Sequence, residues 1–486
     1  MNKYPTMDNC KLSFVREGIM KPDYGILMPI FSLDNKYSIG SFGLEARKFV
    51  DILSEAGFSW WQILPLCISD EFNSPYNSSS LFSINPFYID LEELYFKNLI
   101  SHKELQEQIT LNNGRCNYKK LYSSRIQLLY SAFLRFKDFN KLDFFISQNS
   151  GVKDFCKYQS LCHVNKTNSW IKWVNFKSSD ILEKFWEFLQ YEAYSQWISL
   201  KKYANKKNIM IMGDLPFYSS LCSSEVYFNQ SYYQLDLQGN PIYLSGAKPD
   251  EFSSIGQCWG HPVYNWENIE NDDFNFFKTK FSFYSMLFDG IRLDHFRGYE
   301  SYWVVPKTRD GLIGHYEKGP GASLFNAVKE YTTNKIVVGE DLGIITPEVQ
   351  CLINETGFYN MRVFQYCLKN PALDLPKNFT EKCVAYTGTH DTHTLIGFLN
   401  SLSQSEISKL YHNLNIKKSS NIYKSIINSL LKSKAKIVFF TIQDILKLDD
   451  NFVINTHAPS DTNWSFRLKD INQLENSMID FLIQGE

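Results

Sequence analysis

Four acidic residues each follow a short apolar run in this chain of 486 residues. They are Asp214 after IMIMG, Asp294 after GIRL, Glu340 after KIVVG and Asp391 after CVAYTGTH. A single carboxylate behind a strand is most often the cap of the next helix. Four acids in the same position make a capping role for all of them less favoured. We therefore predict that they meet at one site.

The residue types in this cluster favour chemistry on glycosidic bonds over metal chemistry. A retaining mechanism needs a carboxylate nucleophile and a carboxylic acid roughly 5–5.5 Å apart. Arg292 stands two residues before Asp294, on the same strand face, where it could keep Asp294 ionised; the alternative is a structural salt bridge. The spacing of His390 and His393 is only a weak metal signal. We expect neither a metal nor a cofactor.

Eight short apolar runs alternate with helical patterns and must position these acids. Such runs are typical of strands buried on both faces of a parallel sheet. Eight of them predict a (β/α)₈ TIM barrel, with a doubly wound open sheet as the alternative. The runs lie at 24–30, 60–66, 208–213, 288–293, 335–339, 361–366, 382–387 and 436–442. Between the first two is a helical pattern that Gly57 is placed to end, with an apolar face formed by Ala46, Phe49, Val50, Leu53 and Ala56.

The spacing of the runs is uneven, which bears on the domain organisation. We predict a single catalytic barrel domain over 1–486, with inserted, mostly helical subdomain material around 67–207 and 215–287. The helical pattern at 180–203 supports this interpretation of the longest gap.

Composition and charge exclude several classes of protein. The formal net charge is -2, which gives no reason to expect a nucleic acid or an anionic membrane as partner. Ten cysteines without CxxC pairs indicate a reducing compartment. The amino terminus has no apolar leader, and no run is long enough to span a bilayer. We expect a cytoplasmic protein. The 38 Phe, 29 Tyr and 10 Trp residues suit flat sugar faces, or reflect compositional bias.

Longer segments resemble the amylomaltases, the 4-α-glucanotransferases of glycoside hydrolase family 77. The resemblance runs in order from about residue 24 to 468. It is carried by GSFG at 40–43, SPYNSSSLFSINPFYIDL at 74–91, GDLPFY at 213–218, FSSIGQCWGHPVYNW at 252–266, DGIRLDHFRGYESYWVV at 289–305, GEDLGIITPEV at 339–349, YTGTHDTHT at 386–394, QDIL at 443–446 and NW at 463–464.

This resemblance implies roles for individual residues. The nucleophile falls on Asp294, the acid/base on Glu340 and the transition-state stabiliser on Asp391. Residues expected to bind substrate are Ser74, Tyr76, Asp214, Trp259, Arg292 and His390. The resemblance also implies a barrel without a C-terminal β-sandwich.

The implied reaction moves a 1,4-α-glucan segment to a 4-position of glucose or of another glucan, through a covalent glucosyl-enzyme. The expected partners are α-1,4-glucans, such as maltooligosaccharides, glycogen or starch, with glucose or a maltodextrin as acceptor. Two alternatives stay open: a hydrolase of the α-amylase type and a non-catalytic glucan-binding protein. Retention of all three acids argues against the binding protein.

Some positions depart from the family pattern. Lys248-Pro249-Asp250 stands where the family usually has PPD, and His261 where it has Asn in WGNP. Thr392 replaces an Asn after GTHD, and Val453-Ile454-Asn455 replaces Arg-Met-Asn. These departures bear on acceptor preference and efficiency rather than on reaction class.

Overall fold

A computed structural model describes residues 22–249, 254–307, 313–456 and 460–483. Its centre is a closed barrel of eight parallel strands in the order β1-β12-β11-β10-β9-β6-β3-β2. This confirms the TIM barrel and excludes the doubly wound open sheet. The strands of the barrel are β1 Asp23–Leu27, β2 Trp60–Gln62, β3 Met210–Leu215, β6 Gly290–Leu293, β9 Ile336–Gly339, β10 Tyr359–Val363, β11 Cys383–Tyr386 and β12 Ile437–Thr441.

Burial explains why these runs form strands. Every residue of β2, β6, β11 and β12 is buried, because side chains fill the barrel and helices cover its outside. Each predicted run contains all or part of one observed strand. The strands are shorter than many of the runs: in WWQILPL only Trp60–Gln62 belongs to the ladder.

Helices cover the barrel and fill the long connections. The pattern ending at Gly57 forms α1, and Gly57 adopts the left-handed conformation (φ 81°) expected of a helix-ending glycine. The first ten helices are α1 Leu44–Glu55, α2 Leu91–Phe96, α3 His102–Gln106, α4 Tyr118–Lys120, α5 Ile126–Arg135, α6 Phe139–Ser147, α7 Ser150–Asn165, α8 Asp180–Lys206, α9 Ser224–Phe228 and α10 Trp266–Asn271. They are followed by α11 Asn275–Leu287, α12 Ala322–Ala327, α13 Lys329–Thr332, α14 Pro347–Thr356, α15 Pro371–Asp374, α16 Leu395–Ser401, α17 Gln404–Asn413, α18 Ile422–Leu431, α19 Ile442–Ile445 and α20 Asn472–Ile483.

A second, antiparallel sheet stands beside the barrel. Its order is β5-β4-β7-β8, and its strands are β4 Tyr243–Ala247, β5 Gln257–Pro262, β7 Ser301–Pro306 and β8 His315–Lys318. The connection from β2 to β3 is helical, with α2 to α8, but the connection from β3 to β6 combines helices with β4 and β5. Those two strands contain Gly246 and Gly260 and lack a regular apolar alternation, so no sequence pattern predicts strands there.

The chain after β12 adds little to the sheets. Its described residues form α19, a short 3-10 helix at Asp450–Phe452, α20 and one isolated bridge between Phe466 and Arg115, and no sandwich. Within the described ranges, no helix combines the length and apolar character needed to cross a membrane. Residues 1–21, on which the expectation about a leader rests, lie outside those ranges.

Gly213 marks a point of close packing next to the predicted site. It precedes Asp214 in β3, and a Cβ added there would lie 2.2 Å from Cδ2 of Phe288. Phe288 is fully buried just before β6, so it has no room to move away.

We expect Gly213→Ala to lower the free energy of unfolding by about 1–3 kcal/mol through overpacking, measured by urea unfolding. Ser408→Ala on the exposed face of α17 is the control and should change stability by less than about 0.5 kcal/mol. Equal stability of the Gly213 variant and the wild type would contradict this account of the packing.

Candidate active site

The strand register brings three of the predicted acids together. Asp214 pairs with Arg292 across β3 and β6, so their side chains share one face. Leu293 pairs with Gly339 at the end of β6 and β9, which places Asp294 and Glu340 side by side at the carboxyl end of the barrel. Asp214 itself is part of β3 and not, as predicted, just past its end.

Arg292 is the shared partner of these carboxyl groups. Its Nη1 lies 2.7 Å from both carboxylate oxygens of Asp214 and 3.2 Å from Oδ1 of Asp294. Its Nη2 lies 3.1 Å from Oε2 of Glu340. The side chains of Arg292 and Asp214 are 3% and 0% exposed, whereas those of Asp294 and Glu340 are 25% and 23% exposed. The buried ion pair of Arg292 and Asp214, called here the ionic floor, therefore lies beneath the two partly exposed carboxyl groups of Asp294 and Glu340.

Backbone hydrogen bonds fix the two partly exposed acids, Asp294 and Glu340. The amide of Asp294 donates to the carbonyl of Leu215 at 3.1 Å, and the amide of Glu340 donates to the carbonyl of Leu293 at 3.0 Å. The amide of His295 donates to Oε2 of Glu340 at 2.7 Å. His295 has φ 45°, a left-handed conformation that is costly for a residue with a side chain. This strained residue directs an N–H group at Glu340.

Asp391 lies in a second group of side chains. Its Oδ2 is 2.8 Å from Nε2 of His390, and its Oδ1 accepts a 2.7 Å hydrogen bond from Nδ2 of Asn455. The ring of Tyr76 stacks on His390 with 5.1 Å between centroids, and its hydroxyl donates to Asp214 at 2.8 Å. Tyr76 thus links the Asp391 group to the ionic floor.

The remaining predicted residues lie around this centre. The hydroxyl of Ser74 accepts a 3.3 Å hydrogen bond from the amide of Tyr76, so Ser74 is tied to the site through its neighbour. Trp259 lines the same groove as Glu340 and Asp391, and its ring meets His295 edge-on at 4.9 Å. Asp214 is fully buried, and its carboxylate is bonded to Arg292 and Tyr76.

The pKa values of Asp294 and Asp391 are shifted in opposite directions. Burial and repulsion from Glu340 raise the pKa of Asp294 well above the ordinary range, and Arg292 opposes this shift only in part. For Asp391, burial alone would raise the pKa, but the charge and hydrogen bond of His390 bring it below its ordinary value. Opposite shifts in neighbouring carboxyl groups are typical of catalytic sites.

Several residues that depart from the family pattern lie near the groove. Lys248 lines it, with Nζ 5.8 Å from the ring centroid of Tyr316. The hydroxyl of Thr392 accepts a backbone N–H from its own loop at 2.8 Å. Asp250 and the start of the segment 252–266 lie outside the described residues.

Three functional candidates escaped sequence reasoning. Asn455 is the last residue of the segment compared with Arg-Met-Asn, but its hydrogen bond to Asp391 comes from a distant point of the chain and the motif does not reveal it. Trp464 lies 5.8 Å from the ring of Tyr76 and 5.9 Å from that of His390. His295 was open to inference, since it directly follows a predicted nucleophile, but its contact with Glu340 depends on a backbone conformation that the sequence does not reveal.

The two histidines with metal-like spacing point to different partners. His390 contacts Asp391, and Nδ1 of His393 lies 2.6 Å from Oδ2 of Asp450. Across the part of the chain that the structure describes, no three His, Cys, Asp or Glu side chains are grouped to hold a metal ion.

The fold and the site together define a class of protein. A closed parallel barrel with two neighbouring carboxyl groups at the carboxyl ends of its strands is the arrangement of a barrel glycosidase or transglycosidase. Sequence comparisons narrow this class. A family model for 4-alpha-glucanotransferases, glycoside hydrolase family 77, matches residues 28–473. The chain belongs to this family.

Individual relatives and a solved structure agree. A 4-alpha-glucanotransferase of Clostridium butyricum is 35% identical over 476 residues, covering 93% of this chain and 98% of the relative. One of Aquifex aeolicus is 34% identical over 465 residues, covering 92% and 95%. The amylomaltase from Streptococcus agalactiae in complex with acarbose superposes with a TM-score of 0.90 at 28% identity, covering 96% of this chain and 100% of that one. The chain is thus an enzyme that transfers 1,4-α-glucan segments.

The opposite pKa shifts predict opposite effects of two conservative substitutions. Ionised Asp294 is disfavoured in the folded state, so Asp294→Asn should raise the free energy of unfolding at pH 7. The gain should shrink as the pH falls through the folded pKa and the wild-type carboxyl becomes protonated. Denaturant unfolding between pH 3 and 8 measures this effect.

Asp391→Asn is the matched comparison. Ionised Asp391 is favoured in the folded state, so this variant should be less stable than the wild type at pH 7. The deficit should begin to shrink as the pH falls below about 4, the unfolded value for an aspartate, and be lost only as the pH falls through the lowered folded pKa of Asp391. Shifts of the same sign in both variants would contradict the electrostatic description.

Proposed function

We propose that Asp294 is the nucleophile, Glu340 the general acid/base and Asp391 the transition-state stabiliser of the transfer reaction. One observation carries these roles: Asp294 and Glu340 each contact one nitrogen of the same guanidinium, and both side chains are partly exposed. Two carboxyl groups held this way can flank one glycosidic bond.

The reaction then has two balanced steps. In the first, a carboxylate oxygen of Asp294 bonds to the anomeric carbon, the glycosidic bond breaks, and the proton of Glu340 passes to the leaving oxygen. In the second, the 4-hydroxyl of an acceptor attacks the anomeric carbon, its proton returns to Glu340, and Asp294 leaves. Two inversions give retained configuration.

The surrounding groups serve the charges that this sequence requires. Asp294 and Glu340 lie close enough that one shared proton costs less than two charges. Arg292 contacts both carboxyl groups, at 3.2 Å from Asp294 and 3.1 Å from Glu340, so it can stabilise the negative charge on either of them as the proton moves between the two steps. Asp391, with its lowered pKa, stays ionised and faces the positive charge of the transition state.

We further propose maltooligosaccharides, glycogen or starch as the α-1,4-glucan donors, and glucose or a maltodextrin as the acceptor. The groove that contains Glu340 and Asp391 is also lined by the rings of Trp259, Trp303, Tyr316 and Tyr366. Flat aromatic surfaces suit sugar faces, and a groove filled by an acceptor excludes the water that would otherwise hydrolyse the intermediate.

The proposal extends to the organisation and location of the chain. We assign one catalytic barrel domain, with the segments around 67–207 and 215–287 as insertions. The nine cysteines within the described residues are free, which supports a reducing, cytoplasmic location; Cys10 lies outside those residues.

Incubation with pure maltotriose tests the substrates. We expect glucose together with a ladder of longer glucans, and a nearly constant number of reducing ends, since each cleavage is balanced by a new bond. Chromatography and a reducing-end assay measure both quantities. Glucose and maltose alone, with a rising number of reducing ends, would indicate a hydrolase, and unchanged maltotriose a binding protein.

Glu340→Gln tests the assignment of acid/base and nucleophile. The variant should be slower by about 100-fold or more on maltotriose, whose leaving group needs a proton. A maltotriosyl fluoride donor has a good leaving group, so its first step should recover and a glucan ester should accumulate on Asp294. Mass spectrometry of the digested protein locates the ester.

Asp391→Asn provides the contrast, because it should be impaired with both donors. Glu104→Gln, a change in a surface ion pair, should behave as the wild type. An ester on another residue, or no recovery with the fluoride, would overturn the roles of Asp294 and Glu340.

A further inference from the structure

A lysine is buried behind the active site. Lys280 lies on α11, is 0% exposed, and its Nζ donates to the carbonyl of Pro216 at 2.6 Å and to that of Phe217 at 3.3 Å. Burial lowers its pKa to about 7. An ammonium group that leaves water for two neutral carbonyl oxygens lowers stability, so packing alone does not explain its presence.

The backbone that Lys280 holds leads directly into the site. Pro216 and Phe217 are the first residues after β3, and the residue before them, Leu215, accepts the amide hydrogen bond of Asp294. One residue earlier, Asp214 bonds Arg292 through both carboxylate oxygens. The position of this short segment therefore determines where the amide of Asp294 lies. It also determines where Asp214 holds Arg292, the charged partner of Asp294.

Two further side chains stabilise the same region. The hydroxyl of Tyr264 donates to the carbonyl of Phe217 at 2.7 Å, so that carbonyl has two donors. Glu225 is also buried, and its negative charge makes the strongest favourable electrostatic interaction with Lys280. Glu225 accepts hydrogen bonds from the hydroxyl of Ser80 at 2.5 Å and the amide of Leu81 at 3.0 Å, in the loop that carries Tyr76. Lys280 thus stands between the loops that follow β2 and β3.

We propose that Lys280 is a positioning residue for the nucleophile. Its two bonds fix the chain at the end of β3, so that Leu215 and the pair of Asp214 and Arg292 hold Asp294 in line with the anomeric carbon. This inference rests on the proposed role of Asp294. Misplacement of a reacting group by about 1 Å can cost about 100-fold in rate, which sets the expected effect.

Lys280→Met tests the proposal, since it keeps the length of the side chain and removes its donors. We expect kcat on maltotriose to fall by about 100-fold, with KM changed by less than about threefold, because the groove itself is untouched. Lys280→Arg keeps charge and donors and should restore most of kcat. Thermal unfolding of each variant shows whether the fold is retained.

Lys335→Met is the matched control. Lys335 is half-buried and also donates to a backbone carbonyl, that of Phe288 at 2.6 Å, but it lies before β9, at the opposite end of the barrel. Its loss should affect stability and leave kcat unchanged. A folded Lys280→Met variant with kcat within about threefold of the wild type would overturn the proposal.

A second variant covers the case in which Lys280→Met does not fold. Tyr264→Phe removes the hydroxyl that donates to the carbonyl of Phe217 and keeps the ring. We expect a smaller loss of kcat at constant KM. Wild-type kcat in this variant would overturn the proposal. Asp294→Asn, assayed in parallel, distinguishes failure of the nucleophile assignment from failure of the positioning role of Lys280. Activity in Asp294→Asn removes the nucleophile assignment, whereas an inactive Asp294→Asn beside a fully active Lys280→Met removes only the positioning role.

Discussion

The interaction on which the site depends is the contact of one buried guanidinium with three carboxyl groups. Arg292 reaches Asp214 below it and Asp294 and Glu340 above it. A buried charge left without a partner is strongly destabilising, so the fold is constrained to keep β3, β6 and β9 adjacent and in register. The two acids that a sugar can reach are placed by the same constraint. Arg292 therefore links the register of these three strands to the positions of the two acids.

Around this floor the protein maintains two different environments for carboxyl groups. Asp294 lies where burial and a like charge disfavour its ionised form, and Asp391 lies where His390 and Asn455 favour it. Tyr76 touches both, stacking on His390 while donating to Asp214. Acids of one chemical type acquire separate roles through their neighbours and not through their own structure.

The barrel strands and the acids that follow them are predictable from the sequence. The second sheet and the contacts of Asn455 and His295 are not, for physical reasons. The barrel strands are buried on both faces, so each appears as an apolar run, and Asp294 and Glu340 follow such runs directly. The second sheet leaves no comparable signal, because its pairing joins short strands such as β4 and β7 that lie far apart in the chain. Asn455 reaches Asp391 from 64 positions away, and the left-handed backbone of His295 depends on its surroundings. Local sequence patterns predict strands and helices, whereas contacts between distant segments become visible only in the folded structure.

Closure of the barrel has a consequence for how the protein is made. The pairing of β1 with β12 joins Gly25 to Phe439, so the first strand waits for its neighbour until nearly the whole chain has been synthesised. Until then β1 and β11 each present an unpaired edge, and such edges are sites of association between chains. Contacts of this sequence separation form slowly because their loop entropy must be overcome first. The unpaired edge of β1 is therefore available to other chains through most of translation, whereas the edge of β11 is available only from its own synthesis until β12 follows it.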